Sequence, residues 1–388
     1  MKKPWLLIIA GVLLTTLIGM WLYLFFGGDE AREDLYNAFG LQGDELPFGI
    51  EDIFGEDNAT SSVPYLRQIS FRQVIGYIPF AASSTTSPYV YIAEAGTGHI
   101  YKVDTVSGDE ERLSNITIPT ASKAVFSPNG QYVAVVPNDS RATTVLSLPN
   151  GTSTVTSTDI EARVADISFT NENILVYSEK SNQSTVGFSY NPATGETATI
   201  FTIPFREAVV AFGETVEGPH YTYPKMAEEL EGYVYAVTGS SLKRLPITGF
   251  GLSVQNSPTW MVFTRIENNQ PTTYLFEKET ENNSTLDISV FPEKCASAEG
   301  EFICAINESS ANSQTSWYRG EYVSSDSLWY ILPDINYVGR IEDISQTAGQ
   351  PLDVTEPELT TYGFYFITKQ NDSLWVYDRD FTSSLTDN

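Results

Sequence analysis

Residues able to do chemistry are few in this 388-residue chain: it has two cysteines and two histidines. Cys295 and Cys304 flank the octapeptide ASAEGEFI, with Glu299 and Gly300 at its centre. If that dipeptide is a two-residue hairpin loop, Ala298 faces Glu301, Ser297 faces Phe302, Ala296 faces Ile303 and Cys295 faces Cys304. Such a pair is not hydrogen-bonded, which places its Cα atoms about 4.5 Å apart, at the short end of disulfide geometry. A structural disulfide is expected, worth up to about 3 kcal/mol for so short a loop and permanent in an oxidising compartment.

His99 and His220 lie far apart in strand-like contexts, and each reads as a satisfied surface histidine. Neither H-E-x-x-H nor a calcium-loop pattern occurs, nor a G-x-S-x-G elbow, so no catalytic residue, metal or cofactor is assigned. Carboxylates are too abundant, at 49 acids, for any sequence pair to indicate glycosidase chemistry, which depends on separation in space. One polar and aromatic stretch, NESSANSQTSWYRGEYVSS, holds the candidate binding residues Trp317, Tyr318, Arg319 and Tyr322. Folding back of these aromatics to cap the neighbouring sheet is the alternative use for them.

The elements that must position these residues are strands. Tyr, Phe, Val, Ile and Thr dominate the composition. At FSPNGQYVAVV, Phe126 to Val136, an apolar strand runs into a tight turn and out into a second apolar strand. With Asn129 and Gly130 as its loop, Val125 and Ala134 occupy the positions that Cys295 and Cys304 hold in the later hairpin. Comparable second strands begin at Tyr89, Gln131, Asn173, Pro219, Trp260, Glu301 and Tyr362, at intervals of about 41–46 residues except the last, which is longer. HIYKVDTVSGDEERL, TVGFSYNPATGETATIF and TTYLFEKETENNSTL supply the third and fourth strands of three units.

Seven units of that length and strand content predict an all-β, seven-bladed β-propeller over residues 65–381. The segment from Arg67 to Phe80 has strand character without a full unit of its own, and an N-terminal strand is expected to complete the last blade. The polar and aromatic stretch interrupts the sixth unit between EFICAI and DSLWYIL, which accounts for the long final interval.

Ahead of the repeats, Trp5 to Phe26 is an uncharged run of 22 residues. As a helix it reaches about 33 Å, enough to cross a hydrocarbon core of about 30 Å. Lys2 and Lys3 precede it and Asp29, Glu30, Glu33 and Asp34 follow, so the N-terminus is expected in the cytoplasm and the remainder outside. The run is longer than a signal-peptide core and ends in bulky aromatics, which favours an uncleaved signal-anchor. The expected organisation is a tip and transmembrane anchor at 1–28, an acidic stalk at 29–64, the propeller, and a tail at 382–388. A formal charge of −27 repels phosphate-rich partners, which argues against nucleic acid and suits a solvated extracytoplasmic domain.

FSPNGQYVAVV resembles the WD-repeat-like units of TolB and of prolyl-oligopeptidase-type propellers. Further on, PEKCASAEGEFICAI, SWYRGEY, DSLWYI and FITKQNDSLWVY resemble a family of membrane-anchored propeller proteins of candidate-phylum bacteria. There a KC…C hairpin, a WY-x-G loop and a closing Lys- and S-L-W-bearing strand recur. This chain departs from the pattern with Ala296 and Ser297 where an aromatic after the first cysteine is usual. The resemblance covers about Tyr221 to Asp380 and implies a cell-envelope propeller without a known activity.

Together these readings give a binding or scaffolding module for a cell-envelope or surface partner, protein or glycan, held to the membrane by its N-terminal helix. The alternative is an envelope hydrolase or lyase acting on glycan or peptide at the propeller channel.

Overall fold

A computed structural model describes residues 65–82, 87–138, 142–148, 154–298, 300–307 and 314–378. The anchor at 1–28, the stalk at 29–64 and the tail at 382–388 lie outside these residues. No helix among the described residues is long and apolar enough to cross a membrane.

Strand β1 (Leu66–Ser70) is separate from the sheet that follows it in sequence, β2 (Val74–Phe80), β3 (Tyr89–Glu94), β4 (Ile100–Asp104) and β5 (Glu110–Arg112). The second sheet is β6 (Ala121–Phe126), β7 (Tyr132–Pro137), β8 (Thr143–Ser147) and β9 (Thr156–Ile160). The third is β10 (Val164–Phe169), β11 (Leu175–Lys180), β12 (Thr185–Tyr190) and β13 (Thr197–Ile203). A seven-stranded sheet comes next: β14 (Ala208–Ala211), β15 (His220–Pro224), β16 (Glu231–Thr238), β17 (Ser241–Asn256), β18 (Trp260–Glu267), β19 (Gln270–Glu277) and β20 (Asn282–Thr285). The fifth is β21 (Cys295–Ala298), β22 (Glu301–Asn307), β23 (Asp326–Leu332) and β24 (Tyr337–Glu342). In the last, β25 (Val354–Leu359), β26 (Gly363–Thr368) and β27 (Leu374–Asp378) are completed by β1.

Every pairing is antiparallel, and six of the seven landmark segments supply the strand that follows a sheet's first strand, while the one at Trp260 is β18, the fifth strand of the seven-stranded sheet. Among those strands β7 and β26 are the most apolar. Val133 to Val136 and Gly363 to Thr368 are buried throughout, as expected where both faces of a sheet are covered by other sheets. Outermost strands lack that cover and lose the apolar pattern: EER in β5 is exposed along its length, and TSTDI in β9 nearly so.

The hairpin register is as derived from the turns. Val125 pairs with Ala134, and Cys295 with Cys304, which are disulfide-bonded with Cα atoms 4.0 Å apart. The first turn is built differently from the expected Asn-Gly loop. Gly130 N–H donates to Ser127 O, so Pro128 and Asn129 are the central residues and Gly130 follows at φ +68°. Proline's fixed φ suits the first central position, and the number of loop residues leaves the pairing unchanged.

Strand β17 was not foreseen by the repeat spacing. Its first part pairs with β16 and its second with β18, so one strand of 16 residues joins what the spacing reads as two units. Gly251, at φ +59°, lies where the pairing passes from one neighbour to the other, and the backbone bends there without leaving the sheet.

First strands pack side by side, β2 on β6, β6 on β10, β10 on β14 and β21 on β25. At Gly76 the approach is so close that a Cβ would lie 2.0 Å from the Ala124 carbonyl oxygen. The last sheet is tied to the first by Tyr77, whose hydroxyl lies 2.7 Å from Glu356 O and 2.9 Å from Tyr365 O. Gly76→Ala is expected to cost about 1–3 kcal/mol in urea melts; an unchanged midpoint would show that these strands can separate. Truncation before Asp372 removes β27, the partner of both β1 and β26, and should abolish a single cooperative melt.

Candidate functional site

The stretch that interrupts the sixth unit folds over one end of the first strands. Its helix α1 (Gln314–Tyr318) is held from below by ionic groups buried among the sheets. Lys294 Nζ, on the turn entering β21, donates to Asp326 Oδ2 at 2.6 Å and to Asp353 Oδ1 at 2.7 Å. All three side chains are essentially inaccessible, at 1%, 0% and 0% exposure. Charges so desolvated persist only when their remaining lone pairs are filled, and here they are. Trp317 Nε1 donates to Asp353 at 2.8 Å, Ser324 N–H donates to Asp353 at 3.0 Å and Val354 N–H donates to Asp326 at 2.9 Å. Lys369 donates to the Trp317 carbonyl and lies 4.0 Å from the centre of its indole, and Lys294 reaches the same ring at 4.8 Å.

The candidate loop residues therefore divide. Trp317 is buried and committed to this cluster, which removes it from the predicted contact surface. Tyr322 is half-buried; burial first, and then the charges of Asp353 and Asp326, raise its hydroxyl to about 12. The aromatics thus fold back in part, because an indole N–H donating to the buried Asp353 carboxylate is worth more than the same ring as exposed surface. Arg319 remains exposed, Tyr318 keeps exposed ring surface while its hydroxyl turns inward to Glu293, and both line a cavity of about 940 Å³.

That cavity lies between α1 and the β15–β16 connection, with Asp166, Val209, Ser253 and Glu293 from successive first strands or their approaches along its wall. Glu293 is the residue before Lys294, so the ionic cluster also positions this wall. Ser253 Oγ donates to its Oε1 at 2.8 Å and Gln314 Nε2 to its Oε2 at 2.8 Å, docking the helix onto the carboxylate. Burial pushes Glu293 above the usual carboxylate range, and Asp166 likewise, although Ser178 Oγ donates to the latter at 2.8 Å. Tyr223 and Tyr318 hydroxyls are raised by burial and then by the Glu293 charge. Lys180, Lys225 and Arg319 line it as well, together with Glu228 and Glu229, so that three cations face four acids.

His220 is buried, not at the surface: Gly213 N–H donates to its Nδ1 at 3.1 Å and its Nε2 lies 3.1 Å from Val216 O. His99 is half-buried, with Nε2 2.9 Å from Thr117 Oγ1. Among the described residues no group of three His, Cys, Asp or Glu is arranged to hold a metal ion. Asp166, Ser253 and Lys180 carried no sequence signal as site residues, being ordinary strand residues; Glu293 was marked only by its place beside Lys294 and Cys295.

No family model matches the chain, and no curated protein matches it. Solved structures do. The chain is similar to the β-propeller domain of the Trilobed protease from Pyrococcus furiosus, with TM-score 0.50 at 10% identity over 76% of this chain and 93% of that one. The fold is a β-propeller. Oligogalacturonate lyase from Vibrio parahaemolyticus is similar at TM-score 0.51 and 10% identity, over 78% of this chain and 96% of that one. An acylaminoacyl peptidase from Pyrococcus horikoshii is similar at 0.53 and 11%, over 80% of this chain. The chain spans only 53% of that peptidase's length. Propellers of this shape thus occur in lyases and peptidases, and identities this low carry the fold alone.

Lys294→Met should destabilise the propeller by about 3–5 kcal/mol in denaturant melts, because it leaves two buried carboxyls without a cation. The triple change Lys294→Met, Asp326→Asn, Asp353→Asn should recover part of that loss. Equal stability of wild type and the single variant would show that the cluster is not structural.

Proposed function

We propose that this chain is a seven-bladed extracytoplasmic propeller, anchored by Trp5–Phe26, that binds a cell-envelope or surface component at the mouth beneath α1. The count of seven takes the long sheet as two blades sharing β17. The resemblance of its C-terminal motifs to membrane-anchored propellers of candidate-phylum bacteria supports the location. The observation that carries the binding reading is the α1 cavity, where Tyr318, Arg319, Lys180 and Lys225 sit on a wall fixed by buried ionic bonds. Preorganised walls lower the ordering cost of recognition. With three cations among four acids, the lining offers both signs of charge to a polar partner, protein or glycan.

A photo-crosslinking residue at Arg319, in intact membranes, should capture a partner that one at the exposed Phe71 does not. The pair Lys225→Glu, Arg319→Glu, assayed from an adjacent crosslinker at Tyr318, should lose the adduct. Identical products from both faces would remove the assignment.

The second reading, a hydrolase or lyase for glycan or peptide, is favoured by one feature: Asp166 and Glu293 face the same cavity with both carboxyls raised by burial. A raised carboxyl beside tyrosines is a form general acids take. Turnover of envelope oligosaccharides or peptides that disappears in both Asp166→Asn and Glu293→Gln would establish it. Binding without turnover would leave the first reading alone.

A further inference from the structure

Ion pairs such as Arg67–Asp378 and Arg72–Glu94 keep contact with water. Lys294, Asp326 and Asp353 have essentially none, so that one amine and two carboxyls share a dry site. Burial disfavours the charged form of an amine and of an acid alike, and without water the ionised pair loses its advantage over the neutral one. The neutral forms are reactive toward each other: an uncharged amine is a nucleophile, and a protonated carboxyl is an electrophile.

The two carboxyls are not equivalent. Asp353 Oδ1 accepts from Lys294 Nζ at 2.7 Å and from Trp317 Nε1 at 2.8 Å, and its Oδ2 accepts from Trp317 Nε1 at 3.0 Å and from Ser324 N–H at 3.0 Å. Groups that only donate surround both oxygens, and they hold Asp353 as the carboxylate. Asp326 Oδ2 accepts from Lys294 Nζ at 2.6 Å and from Val354 N–H at 2.9 Å. Its Oδ1 meets the buried Ser324 hydroxyl. A hydroxyl can accept as well as donate, so Oδ1 has room for a proton. Burial pushes this carboxyl above the usual range, against the opposing pull of Lys294.

We propose that Lys294 and Asp326 condense into an intramolecular isopeptide bond, with Asp353 as the base. Asp353 takes one proton from the Lys294 ammonium, and the freed Nζ attacks Asp326 Cγ. Negative charge that develops on Oδ2 is received by the Val354 N–H already directed at it. A second ammonium proton passes to the Oδ1 hydroxyl, which leaves as water when its bond to Cγ breaks. The third stays on the new amide nitrogen, and Asp353 ends protonated. No oxidant, cofactor or leaving group from outside the chain is needed. Fixed contact replaces the concentration that a free amine and acid would require, and exclusion of solvent protects the product from hydrolysis. The bond joins the turn before β21 to the first residue of β23, beside the Cys295–Cys304 disulfide, and it is independent of what the mouth beneath α1 binds.

The mass of the purified full chain, denatured and reduced, tests this. It should be lower than that of the sequence by one water molecule. A protease that cuts after lysine should leave Lys294 uncut, and its peptide should emerge joined to the one that contains Asp326. Asp353→Asn removes the base and should restore both the lost water and the cut at Lys294. Lys294→Arg, which keeps a cation but cannot form this amide, should also have full mass. The wild-type peptides decide even where a variant fails to fold. Separate linear peptides carrying Lys294 and Asp326, at full mass, would overturn the proposal, and a branch from Lys294 to Asp353 would overturn the assignment of acid and base.

Discussion

Burying Lys294 between Asp326 and Asp353 is the constraint on which the functional end of this molecule depends. Removing an ammonium and two carboxylates from water is expensive, and apolar residues of the same volume can stabilise a core as well or better. What the ions supply is direction. Asp353 has to receive an indole N–H and a backbone N–H as well as the lysine, and Asp326 a backbone N–H of the next strand. Through Trp317 and Ser324 these bonds hold α1 and the segment after it to the sheets, although both lie outside every strand. The disulfide begins at the next residue, Cys295, and ties the same turn to β22. Glu293 on the other side of Lys294 is consequently held as part of the cavity wall. Three consecutive residues thus serve as cavity wall, ionic core and covalent tie.

Closure of the ring has a comparable effect on the channel. With β1 completing the last sheet, the first and last strands of the described chain are joined by sheet hydrogen bonds. The contact of Gly76 with Ala124, too tight for any side chain, indicates how little freedom the inner strands have. A rigid inner wall keeps polar groups at the depth where the backbone places them. The raised carboxyls of Asp166, Glu293 and Glu358 follow from that depth.

Strand rhythm was legible in the sequence because it is a consequence of double-sided burial: a strand covered on both faces must be apolar throughout, and seven such runs stand out. Register at Cys295–Cys304 was legible for a related reason, since hairpin pairing depends on loop length more than on turn type. The same logic explains why a different turn at Pro128–Asn129 left the pairing of Val125 with Ala134 intact. Strand β17 was illegible because Pro246, Gly249 and Gly251 read as a break, whereas the backbone bends there and continues to pair. Site residues were harder still. Trp317 reads as an exposed aromatic in a polar loop, and its role appears only when Lys294, Asp353 and Lys369 are brought to it from positions distant in sequence.

An acidic composition hides its informative acids. Among 49 carboxylates, sequence offers no means of separating a solvated one from a desolvated one, because the difference is made by neighbours on other sheets. Two outcomes of burial coexist in this propeller. Asp326 and Asp353 are paired with lysine, and Glu293 is satisfied by neutral donors from β17 and α1. The first arrangement fixes structure and the second joins a loop to a wall. Cavity linings differ as well. The mouth sets Lys180, Lys225 and Arg319 among four carboxyls, two of them held by neutral donors, whereas the channel along β2, β6, β10 and β25 sets three carboxyls, Glu356, Glu358 and Asp372, against Lys123 alone. One acidic protein therefore presents two recesses of different electrostatic character, and its net charge predicts neither.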